Sequence, residues 1–173
     1  MLIDLKYWLI NLIQLAAALA LLRPWREPLR PLRPAHILIG VGLGLVPTAL
    51  VGALNIALAG SFSVFQFLAL PAGGAAQFFL FQLLVAAAEE LLYRGYIQGA
   101  IKRQCRSSAL AVAGSALIFA LLHLTGGRVG ALQFLTPLCG GLLFGAAYEK
   151  WRSCTMLSLI LAHLLYDLAV INV

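Results

Sequence analysis

Charge is what this chain has least of. Of 173 residues only 10% are Asp, Glu, Lys or Arg, against about a quarter in a soluble domain. That shortage, with 62% hydrophobic residues and a mean hydropathy of +0.97, excludes an ordinary water-soluble enzyme and a disordered or collagen-like chain. Cysteine is scarce as well. Cys105, Cys139 and Cys154 are odd in number and form no Cys-x-x-Cys, so there is neither a disulfide framework nor a zinc-ribbon spacing. Asn-x-Ser/Thr acceptors, His-Glu-x-x-His and long internal repeats are all missing. The net charge of +6 does not point to nucleic acid, because basic residues on a membrane protein mark its cytoplasmic loops.

What is present in quantity is long apolar sequence. A spanning helix needs roughly 20 apolar residues, and runs of about that length fall at about 2–22, 35–59, 74–100, 108–124, 130–147 and 154–172. The expected architecture is therefore all-α: a polytopic membrane bundle of about six transmembrane helices, forming one integral-membrane domain over 1–173. The first run reads as a retained helix and not as a secretory signal, since it opens on Asp4 and Lys6 and exceeds a typical signal core. Loop charges agree with the count. Arg23, Arg26, Arg30, Arg33, Lys102, Arg103, Arg106, Lys150 and Arg152 fall on the odd-numbered loops, against Lys6 and Arg128 on the other side. This places the odd loops in the cytoplasm and both termini outside. Short loops and the lack of glycosylation acceptors fit a prokaryotic inner membrane.

Arg23–Pro34 carries four prolines and reads as a stiff connector whose arginines meet anionic headgroups. The uncharged outer loop at 60–73 either lies on the membrane or partly re-enters it. Gly95-xxx-Gly99 and Gly141-xxx-Gly145 are expected to let helices approach closely within the bundle.

Against this background a few ionisable residues stand out. A charged side chain near the bilayer centre costs at least about 2.5–3.5 kcal/mol, so one retained there is by default a functional-site hypothesis. The third span carries Glu89 and Glu90 followed by Tyr93 and Arg94, the fourth carries Phe119 and His123, and the sixth carries His163, Tyr166 and Asp167. Glu90 and Arg94 are i,i+4 and can pair on one helical face. Glu89 lies about 100° round the helix from Glu90, free to face a cavity without the arginine and to exchange a proton with water. His163 and Asp167 are again i,i+4, so the carboxylate can hold one ring nitrogen and aim the other. His123 joins them only if three helices pack around one pocket; alone it reads equally well as a helix–helix hydrogen-bonding residue. His36 falls at a predicted interface and reads as solvated. Counted inward along straight helices, Glu89, His163 and His123 lie at unequal depths, about 18, 14 and 24 Å.

The three clusters resemble the diagnostic motifs of the CPBP intramembrane proteases, which include the type II CAAX prenyl proteases and bacteriocin-processing or self-immunity proteins. EExxxR is matched by Glu89-Glu90-Leu91-Leu92-Tyr93-Arg94, FxxxH by Phe119-Ala120-Leu121-Leu122-His123, and HxxxN/D by His163-Leu164-Leu165-Tyr166-Asp167. The likeness covers about 74–173, a protease-like core, with the first two spans (1–59) outside it. It implies an endopeptidase acting on a membrane-anchored protein or peptide, with Glu89 and His123 activating water. His163 would serve the oxyanion with Asp167 orienting it, and Glu90, Arg94, Phe119 and Tyr93 would support the pocket. No cofactor is expected; zinc on Glu89, His123 and His163 is the runner-up. Two other classes share the polar signature: a proton-coupled transporter subunit, and a non-catalytic immunity or scaffold protein.

Overall fold

The computed structural model describes residues 3–22, 33–59, 64–124 and 131–170. Among them are six helices, in the order expected: α1 (Leu5–Leu22), α2 (Pro34–Ala59), α3 (Ala72–Cys105), α4 (Ser108–His123), α5 (Ala131–Lys150) and α6 (Met156–Val170). The chain is an all-α membrane bundle. Most of the proline-rich connector, residues 23–32, and Arg128 lie outside the described residues.

By length and composition three helices can cross a membrane unaided: Leu5–Leu22, Pro34–Ala53 within α2, and Ala72–Cys105. At 34 residues α3 is roughly 50 Å long against a hydrocarbon core of about 30 Å. Its basic end, Lys102 and Arg103, therefore projects beyond the apolar layer. The 16-residue α4 and 15-residue α6 are apolar but shorter. Large apolar side chains face outward along α1 and α2, and only Ala18 of α1 is buried, as lipid-facing helices require.

Two tight helix pairs organise the bundle, α2 against α6 and α4 against α5, with α3 packed on α6 and on α1. Small residues make both pairings. A Cβ on Gly40 would stand 2.7 Å from the Ser158 carbonyl, and one on Gly44 2.7 Å from the Ala162 carbonyl. Backbones this close leave no room for any side chain. Gly141 does the same between α5 and α4, where a Cβ would meet Ala116 at 2.9 Å. Of the two glycine pairs expected from sequence, Gly141/Gly145 makes a helix contact at both positions; Gly95 packs against Leu22 and Met156, while Gly99 meets only Arg103 of its own helix.

Residues 64–71 fold back onto the end of the bundle. Phe65 takes a left-handed conformation (φ 53°), its amide donates to the Ala169 carbonyl at 3.3 Å, and Phe67 stacks on Phe78 at 5.6 Å. At the opposite end Glu149 accepts from Lys102, Gln98 and Ser108, tying α3, α4 and α5 together beside the basic residues. His36 differs from expectation. It is only 7% exposed, and its Nδ1 accepts from the Arg33 amide while its own amide donates to the Arg33 carbonyl. The ring turns back to cap the first turn of α2, whose orphan amides need acceptors, so it is withdrawn from solvent.

Candidate active site

A cavity of about 410 Å³ lies between the two helix pairs, with α3 closing its back. Its polar end is lined by Glu90, Arg94, His123, His163 and Asp167, so residues from all three motif helices meet on one space. Pro47 and Val51 of α2, Pro137 and Gly140 of α5, and Val170 of α6 add apolar wall, Gln133, Thr136 and Tyr166 add polar groups, and Glu89 stands beside the cavity and not in its lining.

Glu90 is the structural centre. Its side chain has no solvent exposure, and one oxygen, Oε1, accepts from Arg94 Nη1 at 3.0 Å and from His163 Nδ1 at 2.8 Å. The other oxygen, Oε2, is buried without a hydrogen-bond partner. The Glu90–Arg94 pair anticipated from i,i+4 spacing is thus formed, and both residues are buried. Arg94 is further sandwiched between rings, 4.7 Å from the centroid of Phe119 and 5.8 Å from that of Phe144, where its charge is attracted to the π faces.

His163 is held differently from the expectation. The nitrogen fixed by a short hydrogen bond is fixed by Glu90 across the helix interface, not by Asp167 on its own helix. Because a carboxylate only accepts, Nδ1 carries the proton. Nε2 is aimed between two further carboxylates, Glu89 Oε2 at 3.7 Å and Asp167 Oδ2 at 3.6 Å. The physical reason is reach: the ring leans from α6 toward α3, where the buried Glu90 stands closer than the residue one turn along. Glu89 itself is partly exposed, at 17%, in keeping with its rotation away from the Glu90–Arg94 face.

His123 sits at the last position of α4. Its Nδ1 donates to the Phe119 carbonyl at 2.8 Å, and its own carbonyl accepts from Gln133 Nε2 at 3.0 Å. With the proton committed to Nδ1, the neutral ring presents a lone pair at Nε2. Phe119 links the site together: its ring meets His123 at 4.4 Å, Tyr93 at 4.8 Å and His163 at 6.2 Å. Tyr93 therefore packs as a ring against Phe119, and its carbonyl accepts from Ser115 Oγ at 2.9 Å.

The depth difference expected between Glu89 and His163 closes to a 3.7 Å contact, for two reasons. The long α3 protrudes at its basic end, so counting from that end misplaces Glu89. In addition, Leu91–Gln98 is π-helical, winding more residues into each turn just where the motif lies; such segments concentrate at functional sites. Gln133, Phe144 and Gly140 were missed from sequence. Gln133 carried a usable signal as a polar residue in an apolar run, whereas Gly140 and Phe144 carried none.

Among the described residues no three His, Cys, Asp or Glu side chains are grouped so as to hold a metal ion. His123 and His163 each have Nδ1 bonded, to the Phe119 carbonyl and to Glu90, which leaves Nε2 of each ring as the nitrogen available to the site.

Comparison with protein families identifies the fold's lineage. The model for type II CAAX prenyl endopeptidase Rce1-like proteins matches residues 71–169, which takes in α3 from just before its start and ends within α6. The chain belongs to the Rce1-like family of type II CAAX prenyl endopeptidases. All three motifs fall inside the matched segment, and α1 and α2 fall outside it. No curated protein and no solved structure matches the chain. Membership makes this an integral-membrane, CAAX-type endopeptidase whose substrate is a membrane-associated protein or peptide.

Proposed function

We propose that this protein hydrolyses a peptide bond of a membrane-anchored substrate with water activated by Glu89 and His123. The observation that carries the reading is the convergence of the three motif helices on one cavity lined by His123, His163 and Asp167, with Glu89 Oε2 3.7 Å from His163 Nε2. Glu89 takes a proton from water as its oxygen attacks the scissile carbonyl carbon, and His123 Nε2, free to accept, orients that water. His163, with Nδ1 given to Glu90, is a donor at Nε2 when protonated at both nitrogens, and Glu90 and Asp167 balance that charge. From there it stabilises the oxyanion, the interaction that strengthens most as charge develops. The tetrahedral adduct collapses as Glu89 passes its proton to the amide nitrogen; the C–N bond breaks and leaves a carboxylate and an amine. Glu90, Arg94 and Phe119 fix His163, and the Asp167 carboxylate, 3.6 Å from Nε2, acts on it through charge.

The site works without a metal in this proposal, the odd-numbered loops face the cytoplasm, and the membrane is a prokaryotic inner membrane. Purified protein reconstituted in vesicles tests the mechanism. Glu89→Ala and His123→Ala are each expected to lose about 10²–10⁴-fold in turnover while unfolding at the same midpoint. Chelation is expected to leave turnover unchanged, and stoichiometric zinc in active protein would overturn the metal-free mechanism. A transporter subunit would instead move protons without cleaving anything, and a scaffold would bind its partner equally well in both variants. Proteomics of membrane proteins that accumulate uncut in cells holding only the Glu89→Ala form would name the substrate.

A further inference from the structure

Two adjacent glycines on α5 have opposite surroundings. At Gly141 a Cβ would meet Ala116 Cβ at 2.9 Å and Arg94 Nη2 at 3.6 Å, so that position is committed to packing against α4 and to the arginine of the site. At Gly140 a Cβ would meet nothing within 4 Å, and the residue lines the cavity. The bare backbone at Gly140 is therefore not demanded by helix packing. In a helix interior glycine is less favourable than alanine, so this position keeps a destabilising residue where a methyl group would fit without contact. What it preserves is open cavity volume.

The position of that volume is informative. Gly140 lies one turn before Phe144, whose ring is 6.2 Å from His163, and next to the residue that touches Arg94. Thr136 and Pro137 continue the same face of α5 toward Gln133, which bonds the His123 carbonyl, and Pro47 and Val51 supply wall from α2. These walls are apolar apart from the Thr136 hydroxyl and the Gln133 amide. At the polar end, the fully buried Glu90 side chain keeps Oε2 without a partner. The space beside Gly140 thus adjoins the hydrolytic groups and is walled mainly by apolar side chains.

We propose that Gly140 is a specificity-determining residue: it opens an apolar subsite for a branched or aromatic side chain flanking the scissile bond. The inference rests on the endopeptidase reading above. A side chain at Gly140 fills the subsite, so bulky substrates are excluded more than small ones. A mismatch of one or a few methylenes in an apolar pocket changes selectivity by roughly 10–200-fold.

The test uses full-length protein in vesicles and two fluorogenic S-farnesyl peptides that differ only in the pair after the modified cysteine, Ala-Ala or Phe-Ile. In Gly140→Leu the ratio of kcat/KM for the Phe-Ile peptide to that for the Ala-Ala peptide is expected to fall at least tenfold. Gly42→Leu is the control, since Gly42 is equally open but exposed on α2 away from the cavity. It is expected to leave the ratio within twofold of wild type. A ratio unmoved in Gly140→Leu would overturn the proposal. If leucine prevents folding, Gly140→Ala makes the same comparison with a smaller step. Equilibrium binding of both peptides to Glu89→Ala protein, with and without the Gly140 change, separates the two levels of inference. Selective loss of Phe-Ile binding without any cleavage by wild type supports the subsite and sinks the hydrolytic reading. No cleavage and no size-selective binding sinks both.

Discussion

Arg94→Met is the perturbation that tests the centre of the site most directly. It removes a guanidinium held 3.0 Å from a carboxylate that has no exposure to solvent and 4.7 Å from the Phe119 centroid, leaving that carboxylate with His163 Nδ1 at 2.8 Å. Breaking a buried ion pair by deleting one partner costs about 3–5 kcal/mol, because the remaining charge is left uncompensated. Glu90→Gln alone is milder, about 1.5–3 kcal/mol, since the amide oxygen can still accept from His163 and Arg94 still faces two aromatic rings. With both changes together no uncompensated charge remains from the pair. The double variant is then expected to cost about 1–2 kcal/mol, less than Arg94→Met alone, by the rule that neutralising both partners of a buried pair is cheap. The coupling between the two sites is thus at least about 2.5 kcal/mol. Reversible unfolding in mixed micelles, run on the four proteins of the cycle, measures it. Costs that simply add would refute the claim that Glu90 and Arg94 stabilise the bundle as a pair, and would leave Glu90 as a partner of His163 alone.

Other outcomes follow from the same geometry. Gly40→Ala and Gly44→Ala should each destabilise the protein by about 1–3 kcal/mol, because the added methyl meets a backbone carbonyl 2.7 Å away on α6; Gly42→Ala, which meets nothing, should not, and equal costs at all three positions would discredit the α2–α6 contact. Gln133→Leu deletes the bond from Nε2 to the His123 carbonyl, worth about 1 kcal/mol, and should slow kcat roughly fivefold with little change in KM; a change in KM alone would make Gln133 a substrate contact. Nitrogen chemical shifts of labelled His123 should show the neutral ring protonated at Nδ1, as its bond to the Phe119 carbonyl requires; the opposite tautomer would remove it as an acceptor for water.

Much was legible in the sequence because a bilayer constrains it so strongly. A helix in lipid must satisfy its own backbone and face hydrocarbon with apolar side chains, so span positions and the all-α class follow from composition and run length. The penalty on buried charge makes the few retained acids and imidazoles conspicuous, which is why Glu89, Glu90, Arg94, His123, His163 and Asp167 could be singled out. The i,i+4 rule then gave the Glu90–Arg94 pair correctly, since both residues lie on one helix. It misjudged His163, whose 2.8 Å partner is 73 residues away on another helix.

The division between the two sources of information is therefore one of range. Period, hydropathy and charge act within a helix, and from them the sequence alone determined how many helices there are, which residues on them are costly, and which neighbours one turn apart can pair. Which helices lie side by side is set by where backbones can come closest. Gly40 and Gly44 against α6, and Gly141 against α4, decided that, along with the long, partly π-helical α3 that carries Glu89 to the level of His163. Only the packed bundle could show that Gly141 is a contact while its neighbour Gly140 is an opening, because the difference between them is made entirely by atoms from other parts of the chain.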